Sequence, residues 1–72
     1  MQIEHLVEMA NQIADYFRAE PDRKEAVSSV ALHLRRYWDP RMRKQIIAHH
    51  QATGAGLNDI ARAAIGELTT LA

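Results

Sequence analysis

The chain has no cysteine, only two prolines and three glycines, and no net charge, with nine Lys and Arg set against nine Asp and Glu. Without cysteine there is no disulfide framework, no thiolate nucleophile and no cysteine-ligated metal. Zero net charge disfavours a generally basic nucleic-acid binder. No apolar run approaches the roughly 20 residues of a membrane span. Met1 leads directly into a charged amphipathic stretch, so a cytoplasmic location is the expectation. Nothing alternates with period two, which excludes strands. Gly54-Ala55-Gly56 lacks the preceding strand and the following spacing of a phosphate-binding loop. Ser28 and Ser29 fall inside a helical segment, without the strand-to-helix turn that exposes a nucleophilic serine. No catalytic constellation belongs to this chain alone.

What is present is one small domain's worth of helix. Seventy-two residues and 8.2 kDa leave room for a single core. Area scaling puts the folded surface at roughly 4,500 Å², with only about 60% of the unfolded chain's surface buried, a marginal sum for a lone domain. An enzyme of this size would need a cleft that so small a core rarely supplies. Hydrophobic residues at 47% and charged residues at 25% describe an ordinary globule.

Hydrophobic spacing predicts four helices over about 2–18, 21–37, 40–52 and 59–71. In the first, Ile3, Leu6, Val7, Ala10, Ile13, Ala14 and Phe17 share one arc, and Glu4, Glu8, Asn11 and Asp15 form a separate acidic stripe. Pro21 is placed to open the second, with Asp22 and Glu25 in its first turn. Ala26, Val27, Val30, Ala31, Leu34, Tyr37 and Trp38 make its inner arc. Asp39-Pro40 reads as an N-cap and first position for the third, whose inner face collects Met42, Ile46, Ile47 and His50. Gly54 is a natural C-terminal cap, and Asn58 an N-cap for the fourth, lined by Ile60, Ala61, Ala64, Ile65, Leu68 and Leu71. Short connections imply neighbouring sequential helices, hence an all-α, small compact bundle, mostly antiparallel.

Three apolar residues are left over. Leu32 points away from the core arc, sharing its face with Ser28, Ser29, Arg35 and Arg36, and Met9 and Tyr16 lie off the core arc of the first helix. Scattered exposed apolar residues are ordinary, but Tyr, Met and Arg are also the residues favoured in interface cores. The run from Arg35 to Lys44 carries five bases and one acid. Residues 1–34 hold three bases and six acids, a balance of −3, and residues 35–72 the reverse, +3. Arg41, Arg43 and Lys44 open a helix, where cations oppose the dipole at about 0.3–1 kcal/mol each. Either an anionic partner sits there, or the face is solvated with Asp39 and the acidic first helix as counter-ions. The four histidines, His5, His33, His49 and His50, show no i, i+4 pair for a metal, and His50 is expected to be a hydrogen-bonded boundary residue.

Two stretches carry a resemblance. Ile3-Glu4-His5-Leu6-Val7, Met9-Ala10-Asn11-Gln12-Ile13 and Phe17, followed by His33-Leu34-Arg35-Arg36-Tyr37-Trp38-Asp39-Pro40-Arg41-Met42-Arg43, resemble the small delta subunit of NAD-dependent formate dehydrogenases. After Thr53 the likeness weakens, and Asp59 stands where the resemblance leads one to expect a proline. The resemblance implies a non-catalytic subunit of a complex that oxidises formate to CO₂. Molybdopterin with molybdenum or tungsten, iron–sulfur clusters and FMN reside in its larger subunits and pass electrons to NAD⁺, and this chain itself holds no cofactor. The large catalytic subunit is the implied partner, alongside the other subunits of the complex, with assembly, stability or cofactor loading as the role. Leu32, Arg35, Arg36, Tyr37, Trp38, Asp39, Arg41 and Arg43, with Met9 and Tyr16, are the expected docking residues. Two other readings compete. One is a basic helix end holding an anionic cofactor. The other is a nucleic-acid module reading through Arg41, Arg43, Lys44 and Gln45, against which the neutral charge and acidic first helix count. No membrane partner is expected, and the isolated chain has spare apolar surface for self-association.

Overall fold

Each periodic segment becomes a helix at its capping signals. The computed structural model describes residues 2–71, the last of them by its backbone alone, so Leu71's place on the inner face lies outside the described side chains. The helices are α1 (Ile3–Phe17), α2 (Arg23–Tyr37), α3 (Pro40–Ala52) and α4 (Asp59–Leu71), with no strand among the described residues. α2 starts at Arg23, two residues later than the proline suggests. Asp22, in extended backbone, is the cap, its carboxylate accepting the Lys24 amide at 2.9 Å. A carboxylate that satisfies an orphan amide sets this boundary more firmly than the fixed φ of Pro21, which stays in the link. Asp39 does the same for α3, accepting the Met42 amide at 2.9 Å, with Pro40 at the first position. Asn58 caps α4 by accepting the Ala61 amide at 2.8 Å. α3 stops where Gly54, at φ +67°, lets its own amide and that of Thr53 donate to the His49 carbonyl at 2.8 and 2.9 Å.

The core is built chiefly where α2 lies on α4. α2 contributes Ala26, Val30, Ala31 and Leu34, and α4 contributes Ile60, Ala61, Ala64, Ile65 and Leu68. α1 closes one side with Leu6, Ala10 and Ala14. α3 adds Ile46, with Met42 and Ile47 partly covered. Leu57, in the link before α4, is buried as well, a residue that helical periodicity does not reach. The buried alanines leave room for close helix approach. The result is a compact four-helix bundle with a Cα radius of gyration of 10.8 Å and 4557 Å² of exposed surface, close to the value that length alone predicts.

Sequential helices are not all neighbours. α2 and α3, joined only through Trp38 and Asp39, meet at their corner and do not pack side by side. Trp38 is extended (ψ 138°) and Pro40 locks the next helix's φ, so the chain turns away instead of folding back. The acidic stripe is likewise not simply solvated. Asn11 donates to the Gly56 carbonyl and accepts the Asn58 amide, both at 2.9 Å, and Asp15 accepts from the Asn58 side chain at 3.3 Å. The far half of the stripe therefore ties α1 to the start of α4.

Beside this lock, Asp59 receives Arg18 at 3.1 Å and Arg23 at 3.0 Å. Hydrogen bonds from Arg23, Arg18 and the Ile60 amide pull its carboxyl from the ordinary 3.8 down to about 2. Because the folded value lies below the unfolded one, the stabilisation is complete above about pH 4 and is lost as pH falls through about 2. Thermal midpoints recorded from about pH 5 down to about pH 2 should fall less steeply in Asp59→Asn than in the parent, and parallel curves would refute this assignment. Gly66 and Gly54 should respond oppositely to alanine. A Cβ at Gly66, inside α4, meets His50 Nε2 at an ordinary 3.7 Å, so Gly66→Ala gains about 0.5–1 kcal/mol. A Cβ at Gly54 would lie 2.7 Å from Arg62 Nη1 on left-handed backbone, so Gly54→Ala costs at least about 1 kcal/mol. Urea midpoints that move in the same direction would contradict this.

Candidate functional site

The basic corner is built around a buried tryptophan and an inward arginine. Trp38, 4% exposed, inserts into the core at the end of α2, as its place on the apolar arc predicts. It is therefore withdrawn as a docking contact and acts as the corner's anchor. Arg43, from the first turn of α3, swings back and donates through Nη1 to the Arg35 carbonyl at 3.1 Å and to the Trp38 carbonyl. Its apparent misplacement at a helix N-terminus is thus resolved inside the molecule: the cation serves the C-terminal carbonyls of α2, where the dipole favours it. Asp39 is spent in the same way, as the α3 cap.

Arg35, Arg36, Arg41 and Lys44 stay exposed with no ion-pair partner among the described residues. The ion pairs that do form, Arg18 and Arg23 with Asp15 and Asp59, involve none of the corner's bases. The acidic first helix therefore does not neutralise this corner.

Tyr37 departs from expectation. Placed on the inner arc by its spacing, it is 71% exposed. α3 turns off at the corner and covers nothing there, so the ring lies against His33, one helical turn back, at 4.8 Å between centroids. His33 in turn sits edge-on to Phe17 of α1 at 6.3 Å, and Phe17 to Tyr16 at 5.0 Å. Tyr16 is 79% and Leu32 44% exposed. A ladder of rings, Tyr16–Phe17–His33–Tyr37, thereby crosses from α1 to α2.

Three open depressions border this ladder: one of about 440 Å³ at its α1 end, lined by Tyr16, Phe17, Ala19, Glu20 and Pro21, and two that continue between α1 and α2. One, of about 290 Å³, is lined by Met9, Gln12, Ile13, Tyr16, Phe17 and His33. The other, of about 280 Å³, is lined by Phe17, Ser29, Leu32, His33, Arg36 and Tyr37. Each of these two lies just under the usual 300–1,000 Å³ of a small-molecule site and suits a few side chains of a partner. The two leftover surfaces of the sequence, Met9 with Tyr16 and Leu32 with Arg36, are thus one face. Phe17, placed on the core arc by its spacing, and His33, weighed only as a metal ligand, join them, and neither was read as part of a surface. The available signals were the Tyr16-Phe17 doublet in the last turn of α1 and the i, i+4 spacing of His33 and Tyr37, which brings their rings into contact at a tilt of 48°.

No group of three or more His, Asp or Glu side chains suited to a metal occurs among the described residues. His49 Nε2 lies 2.9 Å from the Ala55 carbonyl. His50 faces α4 with Nδ1 buried and without the expected hydrogen bond, since the helix beside it has already used its backbone groups. Among the described residues no helix is long and apolar enough to cross a membrane.

A family model described as the NADH-dependent formate dehydrogenase delta subunit FdsD matches residues 5–65, and the chain belongs to that family. The match runs from α1 into α4 and takes in both faces of the corner. No curated protein and no solved structure matches the chain.

The corner's arginines should separate in stability measurements. Arg43→Ala uncaps two carbonyls and should lower unfolding free energy by about 1–2 kcal/mol, whereas Arg41→Ala should stay within about 0.5 kcal/mol. Equal effects in urea titration would contradict the division between an inward and an outward arginine.

Proposed function

We propose that this delta-subunit family member is a non-catalytic component of a cytoplasmic formate dehydrogenase complex, and that it binds the large molybdopterin-containing subunit to support its assembly, stability or cofactor loading. The family match over residues 5–65 carries this reading. The surface adds a physical reason for it. A chain that buries only about 60% of its surface alone gains from a partner that binds just its folded form. A partner at a hundred times its Kd contributes about 2.7 kcal/mol to such a domain. Arg35, Arg36 and Arg41 would meet an acidic patch, with Leu32, Tyr37, Met9 and Tyr16 as apolar anchors, while Trp38, Asp39 and Arg43 hold the corner from within. Buried Tyr and Arg contacts dominate binding energy at such surfaces.

The alternatives lose support at the same corner. An anionic cofactor at the start of α3 would have to displace the Asp39 carboxylate from the Met42 amide. A recognition helix would present Arg41 and Lys44 without Arg43, which is turned inward.

The test is co-expression with the catalytic subunit and recovery through a tag on this chain. The parent chain should recover the large subunit at moderate salt, and Arg36→Glu with Arg41→Glu should reduce recovery at least tenfold. Undiminished recovery of the large subunit by the double variant would refute the corner as its docking site. Molybdenum or tungsten content of the large subunit, made with and without this chain, then separates bracing from cofactor loading.

A further inference from the structure

Resting on that reading, we infer that the face between α1 and α2 is a groove for one amphipathic segment of the partner protein, apolar where it meets Met9, Ile13 and Phe17 and carrying a carboxylate where it meets Arg36.

The two depressions share Phe17 and His33 and so form one channel. Its chemistry changes along its length. The α1 end is apolar apart from Gln12, and the α2 end adds Ser29 and Arg36 beside Leu32 and Tyr37. Tyr16, Leu32 and Tyr37, the large apolar side chains exposed among the described residues, all stand on its walls. Coalescence of such residues on one face, and not their number, is what marks an interaction surface.

Charge selects the occupant. The two depressions are lined by an arginine and by no carboxylate, Glu20 standing in the next depression beyond Tyr16 and Phe17, and Arg36 has no acidic partner among the described residues. A second copy packed face to face by two-fold symmetry would bring two arginines into the interface with no acid from either lining. An acidic, apolar-anchored segment of a different protein answers both ends of the channel. Two depressions of under 300 Å³ each, open along one side, match successive side chains of a helix or extended strand.

The test uses the full chain co-expressed with the large subunit. Tyr16→Ser, Leu32→Ser and Tyr37→Ser are combined in one variant, all at exposed positions, so its thermal midpoint should match the parent's while recovery of the partner falls at least tenfold. A photo-crosslinking phenylalanine at position 16 or 37 should capture a partner peptide with Asp or Glu within a turn or two of its apolar residues. Recovery at the parent's level, capture of a second copy of this chain, or capture of a peptide without a carboxylate overturns the inference. If the parent chain recovers the large subunit and the triple variant does so equally well, the groove alone is wrong. A parent chain that recovers nothing removes the proposed binding to the large subunit together with it.

Discussion

The packing of α2 on α4 is the contact from which the rest of the bundle takes its geometry. α2 offers Ala26, Val30, Ala31 and Leu34, and α4 offers Ala61, Ala64 and Ile65 among larger neighbours. Small side chains on both helices allow a close approach, and that approach uses up one face of α2 completely. A helix has only one other broad face to give. α1 covers part of it through Phe17 and the residues before it, and α3, leaving at the Trp38 corner, covers little beyond the helix end that Arg43 reaches. What remains uncovered is the strip bearing Ser29, Leu32, Arg36 and Tyr37. The candidate surface is thus a consequence of which helix α2 chose as its partner.

Electrostatics divides the molecule along the same line. Zero net charge hides two poles. At one, Asp59 gathers Arg18 and Arg23 and the links on either side of α1 and α4 are pinned. At the other, four bases have no ion-pair partner among the described residues, around a corner whose single acid is committed to a helix cap. Exposed ion pairs are each worth little. Their value at the first pole lies in joining the start of α2 to the start of α4, so that the helices meet in register. The second pole has no such ion pairs among the described residues, and of its bases Arg43 is turned inward onto the end of α2.

Much of this was legible in the sequence. The four helices follow from their apolar spacing, and Asp39, Gly54 and Asn58 cap as their types require. Apart from the start of α2, where one local signal outweighed another, the misses share one cause, which is that periodicity describes a helix in isolation. Tyr37 lies on the same arc as Leu34 but has no helix opposite it. Arg43 opposes the dipole of α3 yet satisfies that of α2, a relation between elements that no local rule contains. Asn11 belongs to a polar stripe and still makes long-range hydrogen bonds to the link before α4. Phe17 and His33 reach their roles only because α1 and α2 cross where they do.

The corner also couples the exposed surface to the core. Arg36 and Tyr37 precede Trp38 directly, and Trp38 is held on one side by core packing and on the other by the guanidinium of Arg43. A partner seated on Arg36 and Tyr37, as proposed, would rest on a helix end braced by the burial of Trp38. Unfolding or fraying of that end removes the docking surface, so binding and folding are linked through the same few residues. Under the proposed docking, changes at Arg36 would act on the contact itself, whereas changes at Trp38 or Arg43 would act on the fraction of molecules that present it. For a chain this small, the folded population and the population able to meet a partner would then depend on one corner.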